Sequence, residues 1–377
     1  MTTNKKPLGL YIHIPFCARK CRYCDFASYA GCDEQTKEAY VDRLCAELRE
    51  KAYVYGREYY VDTIFIGGGT PTLLDISVFE RITEAVNASF ACSLREFSVE
   101  CNPESAERNK LKALKDIEVT RVSVGVQSLN DDVLRKLGRI HDAQRAVEAL
   151  RVAGETGLDV NADLMFGLPG QSIEIWKDTL RRTISEKPSH ISFYSLQLEE
   201  GTPFFDDYRA GFLELPIWEE NRRMYREAVA ILREAGYLRY EISNAAIEGK
   251  QCLHNLKYWR MEDYLGVGAA AHSFVGRRRF SNPSDLNAYL AAKPARREES
   301  ASGLKGDFIF TCLRLTEGFA ESSYRDYFGS AFTDDFGLAA AALKKDGLLS
   351  VSGGRVFLTE RGVDNTNPVM ERLLEVL

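Results

Sequence analysis

Between residues 10 and 200 the chain alternates short apolar runs with longer stretches of helical periodicity. The apolar runs are LYIHIPF, VDTIFIGG, EFSVECNP, RVSVGVQS, DVNADLMFGLP and HISFYSLQL, rich in Val, Ile, Phe and Tyr. Several are almost continuously apolar, as strands covered on both faces are. Between them, Val41, Leu44, Cys45, Leu48 and Ala52 recur on one helical face. A second helical stretch runs from Asp131 to Thr156 with a break expected near Gly138–His141, and SIEIWKDTLRRTISE is the last. Strand–helix units repeated in this way predict an α/β fold with a parallel sheet and right-handed crossovers. Polar groups end each apolar run: cysteines after the first, GGGTP (67–71) after the second, then Glu100–Asn102, Gln127–Ser128, Asp163 and Ser195–Gln197. Chemistry at the carboxyl ends of successive strands describes a barrel mouth, whereas an open sheet concentrates it at one switch point. The expected core is a partial (β/α)6 barrel over residues 1–205.

Residues 206–300 read as an extension of that barrel. They hold a helix, IWEENRRMYREAVAILREAGY, and then the polar run EISNAAIEGKQCLHNLKYWRMEDYLGVGAAAHSF. From 301 to 377 the pattern changes to two or three helices followed by GLLSVSGGRVFLTERG, a hairpin with a Gly-Gly turn. Helices before such a hairpin predict a small winged-helix-like α+β domain.

Composition narrows the function classes. The net charge of −6 and the lack of a basic stripe on the C-terminal unit argue against a nucleic-acid partner. No run approaches the roughly 18 apolar residues of a membrane span, and the N-terminal MTTNKKPLGLYIHIPF lacks a signal-peptide core, so a cytoplasmic location is expected. Nine cysteines in such a chain read as thiols or metal ligands rather than disulfides. Cys45 falls on a helical apolar face and reads as core.

Cys17, Cys21 and Cys24 are different: they form C-x3-C-x2-C immediately after the first apolar run. A structural zinc site wants four ligands, for which His13 is the available addition, but an alternating strand sends His13 away from the loop that follows it. A 4Fe–4S cluster on three cysteines leaves one iron open to a ligand, and a barrel mouth favours that reading. GGGTP lacks the context of a phosphate loop.

C-x3-C-x2-C with an aromatic residue, Tyr23, before the third cysteine resembles the signature of the radical S-adenosylmethionine (SAM) superfamily. That resemblance implies a partial (β/α)6 barrel and a cluster whose open iron chelates the amino and carboxylate groups of S-adenosylmethionine. One electron from a donor then cleaves the cofactor's C–S bond. It further implies that Gly68, Gly69 and Thr70 bring backbone to the methionine ammonium group.

YIHIPFC, GGGTPT, SVECNP, RVSVGVQS, DLMFGLPGQ, LRLTEGF and LTERG are together similar to oxygen-independent coproporphyrinogen III oxidases and their relatives, over nearly the whole chain. Carry-over from that group implies S-adenosylmethionine contacts at Tyr11, Gly68, Gly69, Thr70, Glu100, Gln127, Arg139, Asp163 and the backbone of Tyr23. Two departures separate the chain from the decarboxylating enzymes. Phe26 stands where they have a fourth cysteine, and only sixteen residues precede Cys17, where they carry an N-terminal arm. The H-N-x-x-Y-W motif of His254, Asn255, Tyr258 and Trp259 is similar to that of the HemW-type haem chaperones. This implies haem as cargo and an unidentified acceptor protein for it, with a membrane-associated acceptor among the options. His254 is the candidate axial ligand, with Cys252 and His272 as alternatives. Tyr258 and Trp259 are candidates to flank the porphyrin, and the arginines of GRRRF (276–280) to pair with its propionates. Radical oxidative decarboxylation of coproporphyrinogen III is the competing expectation.

Overall fold

The structure is a computed structural model that describes residues 4–298 and 303–377. The expected domain boundary at 300 lies outside the described residues. Six parallel strands form in chain order: β1 (Lys6–Ile14), β2 (Tyr59–Gly68), β3 (Cys92–Cys101), β4 (Arg121–Gln127), β5 (Asp159–Phe166) and β6 (His190–Ser195). Each pairs with its predecessor, so their order in the sheet equals their order in the chain. A doubly wound sheet reverses direction at a switch point. Here all the right-handed crossovers progress in the same direction, which puts their helices on one face and curls the other face into a mouth.

Local chemistry sets the crossover helices. Helix Glu34–Tyr55 starts where the Asp33 side chain accepts the Thr36 N–H, and it buries Val41, Leu44, Cys45 and Leu48. The expected break after Asp131 is real. Asn130 caps helix Asp131–Leu137, Gly138 ends it in the left-handed region, and Asp142 caps the next helix, Ala143–Glu155. Ser172 caps helix Ile173–Ser185.

The sheet is wider than the six expected strands. Beyond β6 it continues as two short antiparallel strands, Asn244–Ala246 and then Leu238–Glu241. On the other side of β1 lies a seventh parallel strand, β7 (Tyr264–Val267), in register from Gly9↔Tyr264 to Ile12↔Val267. Antiparallel strands 272–275, 278–281 and 296–298 extend that edge. β7 lies inside the stretch read from sequence as a polar run. Its Gly266 carries little strand propensity, but close approach demands it, because a Cβ there would stand 2.2 Å from the His272 carbonyl oxygen.

The C-terminal unit holds five helices among the described residues, rather than two or three: 303–312, 321–328, 332–345, 360–364 and 366–374. The expected hairpin is present as Leu349–Ser352 and Arg355–Leu358, with Gly353 and Gly354 both at positive φ. Charged contacts join the unit to the rest of the chain beside a shared apolar core. Arg279 Nε meets Asp307 at 2.8 Å, and Arg222 donates twice to Asp364, at 3.1 and 2.7 Å. Arg277 stacks 4.1 Å from the Tyr327 ring centroid. Of the GRRRF arginines, Arg277 and Arg279 thus bind the C-terminal unit, and Arg278 is exposed.

Candidate functional site

The cysteine loop leaves β1 through a two-residue strand, Phe16–Cys17, which pairs in parallel with Tyr29–Ala30. Two backbone contacts pin the loop: Arg22 N–H donates to Leu137 O at 3.1 Å, and Arg22 O accepts from Phe204 N–H at 3.0 Å. The Tyr23 ring packs beside Phe204, with centroids 6.5 Å apart. Burial pushes the thiols of Cys17 and Cys24 upward.

The strand ends beside the loop form one hydrogen-bonded chain. Thr70 Oγ1 lies 3.9 Å from Cys17 Sγ and accepts from Asn102 Nδ2 at 2.8 Å. Arg139 Nη2 donates to Asn102 Oδ1 and to Gly125 O, both at 2.8 Å, and its Nη1 donates to Cys21 Sγ at 3.4 Å. O–H and N–H groups aimed at sulfur stabilise ligating thiolates, so the loop fits an iron–sulfur group. A zinc site completed by His13 does not fit. The His13 ring is buried, with Nδ1 hydrogen-bonded to Tyr11 OH at 2.9 Å and Nε2 to Ala27 O at 2.8 Å. Among the described residues no three His, Cys, Asp or Glu side chains converge on a point suited to a single metal ion.

Glycine geometry holds the loop against β2. Gly68 has φ of 116°, and a Cβ there would meet His13 Cε1 at 2.4 Å. A Cβ on Gly69 would meet Phe16 O at 2.5 Å. Gly69 N–H donates to Ile14 O, Thr70 N–H to Phe16 O, and Gly68 N–H to Glu100 Oε2 at 2.8 Å.

Inside the sheet's curl lies a cavity of about 220 Å³ bordered by Tyr11, Glu100, Asp163, Tyr194, Asn255 and Tyr258. Burial, reinforced by the Asp163 carboxylate, pushes Glu100 up to about 7. Asp163 is also raised by burial, and it accepts from Ser123 Oγ at 2.7 Å and Asn161 Nδ2 at 2.9 Å. His190 Nδ1 bonds Asn161 Oδ1 at 2.7 Å, and its Nε2 bonds Tyr240 OH at 2.8 Å.

The H-N-x-x-Y-W motif occupies helix Leu253–Trp259, which packs against β2 and β3. Glu96 of β3 fixes its start by accepting the N–H groups of Leu253 at 2.9 Å and His254 at 3.0 Å, and the Cys252 thiol at 3.2 Å. His254 is fully buried, with Nδ1 bonded to Thr63 Oγ1 and Nε2 to Tyr258 OH, both at 2.9 Å. Burial, with the Lys257 ammonium nearby, pushes its pKa down to about 3. Cys252 is buried as well, and desolvation raises its thiol. Asn255 and Tyr258 face the inner cavity.

A second, larger cavity of about 480 Å³ opens between this helix and the cysteine loop. Tyr11 and Tyr258 border both cavities, and Phe26, Trp259, Tyr264 and His272 line the larger one. The structure therefore gathers the expected residues into three groups. Cys17, Cys21, Thr70 and Arg139 form the loop network, with Cys24 on the same loop. Tyr11, Glu100, Asp163, Asn255 and Tyr258 face the inner cavity, and Trp259 turns to the outer one. Gln127, at φ of 62°, ends β4 outside both cavity linings.

Sequence reasoning read Asn102 only as part of a strand end and passed over the buried Ser123, Asn161, His190 and Ser192. The available signal was polar residues two apart in otherwise apolar strands: Glu96, Ser98 and Glu100; Arg121 and Ser123; Asn161 and Asp163; His190 and Ser192. That spacing puts each set on one strand face, here the inward one.

A curled parallel sheet with three cysteines at its mouth defines the radical SAM superfamily, whose sequence profile matches residues 11–183. The HemN C-terminal domain profile matches residues 307–364. Within that superfamily the chain belongs to the HemW family. It is 34% identical to the heme chaperone HemW of Lactococcus lactis over 98% of both chains, and 35% identical to that of Bacillus subtilis over 93% of this chain and 95% of the relative. It is 41% identical to the Escherichia coli heme chaperone HemW over 71% of this chain and 70% of the relative. The solved coproporphyrinogen III oxidase HemN of Escherichia coli, a radical SAM enzyme, superposes with a TM-score of 0.84 over 99% of this chain and 91% of that one. Sequence identity to it is 24%, and what the two share is the fold. The cofactors of the class are a 4Fe–4S cluster and S-adenosylmethionine. No described helix is long and apolar enough to cross a membrane.

Proposed function

We propose that this chain is a haem chaperone that binds haem and passes it to an acceptor protein, while holding a 4Fe–4S cluster and S-adenosylmethionine at the barrel mouth. Cys17, Cys21 and Cys24 ligate the cluster. Gly68, Gly69 and Thr70, with Tyr11, the backbone of Tyr23, Glu100, Gln127, Arg139 and Asp163, hold S-adenosylmethionine. When bound, the cluster supplies one-electron chemistry and an open iron for the cofactor's amino acid portion. The chain's own part is to present sulfur, exclude water and fix protons: Arg139 and Thr70 donate toward sulfur, and Glu100 receives the Gly68 N–H. The same reading keeps the division into a barrel over 1–205, an extension over 206–300 carrying the motif helix, and a C-terminal unit over 301–377. The haem acceptor, at a membrane or elsewhere, and an electron donor are its protein partners.

The observation that carries the reading is similarity along almost the full length to proteins named heme chaperones. Phe26, in the position after the cysteine loop, supports it against decarboxylation. One anaerobically reconstituted sample tests both. Haem titration is expected to produce an absorption band, and incubation with reductant, S-adenosylmethionine and coproporphyrinogen III is expected to yield no protoporphyrinogen IX. Product formation by protein with an intact cluster would replace the chaperone reading with the enzymatic one.

A further inference from the structure

The proposed cargo needs a place in the fold, and the motif helix does not expose one. His254 has no exposed surface, and both its ring nitrogens are held, by Thr63 and by Tyr258. Ligation of iron there requires breaking one of those bonds and opening the packing between the helix and β2. The inner cavity of about 220 Å³ is small for a tetrapyrrole and is bordered by the Glu100 and Asp163 carboxylates. The outer cavity is larger. At about 480 Å³ it falls within the size range of sites for small molecules and cofactors, about 300–1,000 Å³. Its walls are aromatic: Tyr258 and Trp259 end the motif helix, Tyr264 begins β7, and Phe274 lies in the next strand. Flat aromatic faces suit a flat conjugated ring. At its mouth Phe26 is 60% exposed, an apolar side chain beside the cysteine loop.

One imidazole stands at that cavity in an exposed position. His272 opens the strand that follows β7 and lines the space. The cavity's second histidine, His13, is buried. Arg279 brings a guanidinium to the same wall, with Nε on Asp307 at 2.8 Å and Nη2 3.8 Å from Met261 Sδ. An imidazole for iron and aromatic walls for the ring are two things haem asks of a site.

From this arrangement we infer that haem seats in the cavity between the cysteine loop and the motif helix, with His272, not His254, as its axial ligand. The placement rests on the haem-chaperone reading. The motif then acts through Tyr258 and Trp259 as cavity wall, and His254 positions Tyr258.

The test is titration of the reconstituted full chain with haemin, read by Soret absorption and electron paramagnetic resonance. Cluster content serves as the control for folding. Wild type is expected to show histidine-ligated haem. His272→Gly is expected to lose that signature and to bind at least about tenfold more weakly, and added imidazole is expected to restore the signature. His254→Gln is expected to keep it. Thr311→Trp, which adds bulk to the cavity lining, is expected to reduce haem uptake with the cluster retained. An unchanged spectrum in His272→Gly, a failure of imidazole to restore it, or undiminished uptake by Thr311→Trp overturns the placement while leaving the chaperone reading intact. Absence of haem binding by wild type overturns both.

Discussion

Glu100 sits largely withdrawn from water beside a second carboxylate, and this pushes its carboxyl up to about 7 from the ordinary 4.5. Between those values the folded chain holds a proton that the unfolded chain has released. Stability from this group therefore falls as pH rises through that window and levels off above it. At about 1.4 kcal/mol per unit, the effect amounts to roughly 3 kcal/mol. Urea unfolding of the cofactor-free protein at about pH 5 and pH 8 should show this loss in wild type and not in Glu100→Gln; parallel slopes in the two proteins would refute the assignment. Asn102 is the joint between Thr70 and Arg139, and its loss leaves a buried guanidinium donor without its acceptor. Asn102→Ala should cost about 1–3 kcal/mol and accelerate loss of iron from the reconstituted cluster, followed by the decay of its visible absorption. Neither residue stands out by type. Glu100 was legible because it ends an apolar run, whereas Asn102, two residues further on, was read only as part of that ending.

At the scale of elements, the turn after β2 tolerates no side chain. A Cβ at Gly69 would press on Phe16 O at the start of the cysteine loop, and backbone cannot yield as a flexible side chain does. Gly69→Ala should therefore fold but retain well under half of the wild-type iron after reconstitution, measured as iron and sulfide per chain. The motif helix depends on Glu96 in the same way, because this one carboxylate holds two N–H groups and a thiol at the helix start and also meets Arg121. Glu96→Ala leaves Arg121 buried without its charge partner and should cost about 3–5 kcal/mol, read from the shift of the denaturation midpoint. Strands β1 to β6 were legible in sequence because burial on both faces writes a continuous apolar run. β7 was not, since it is only four residues long and is interrupted by Gly266, which close backbone approach demands, so its apolar run is too short to stand out. Helix Leu253–Trp259 was recognisable as a motif, but its burial was not, because the partners that bury it, Thr63 and Glu96, are distant in sequence.

For the whole molecule, the barrel mouth and its cysteines follow from the order of units in the chain, while the two cavities depend on long-range packing that no local pattern reports. Ligand linkage gives a global test of the mouth. S-adenosylmethionine at a hundredfold excess over its dissociation constant should stabilise reconstituted protein by about 2.7 kcal/mol, seen as a rise in the thermal midpoint. The variant Cys17→Ser/Cys21→Ser/Cys24→Ser, which lacks the three loop cysteines, should show little of that rise. A different consequence follows from where the chain goes after β6. Asn244–Ala246 pairs with β6, and β7 pairs with β1, so the stretch joining them runs from one seam of the parallel sheet to the other with the motif helix in its middle. That stretch is a strap across the sheet's open side. Cargo leaning on the helix loads both seams together, and hydrogen exchange at Asn244–Ala246 and Leu265–Val267 should quicken in step when Glu96→Gln slackens the helix. The width of the barrel is thereby tied to what sits beside the helix.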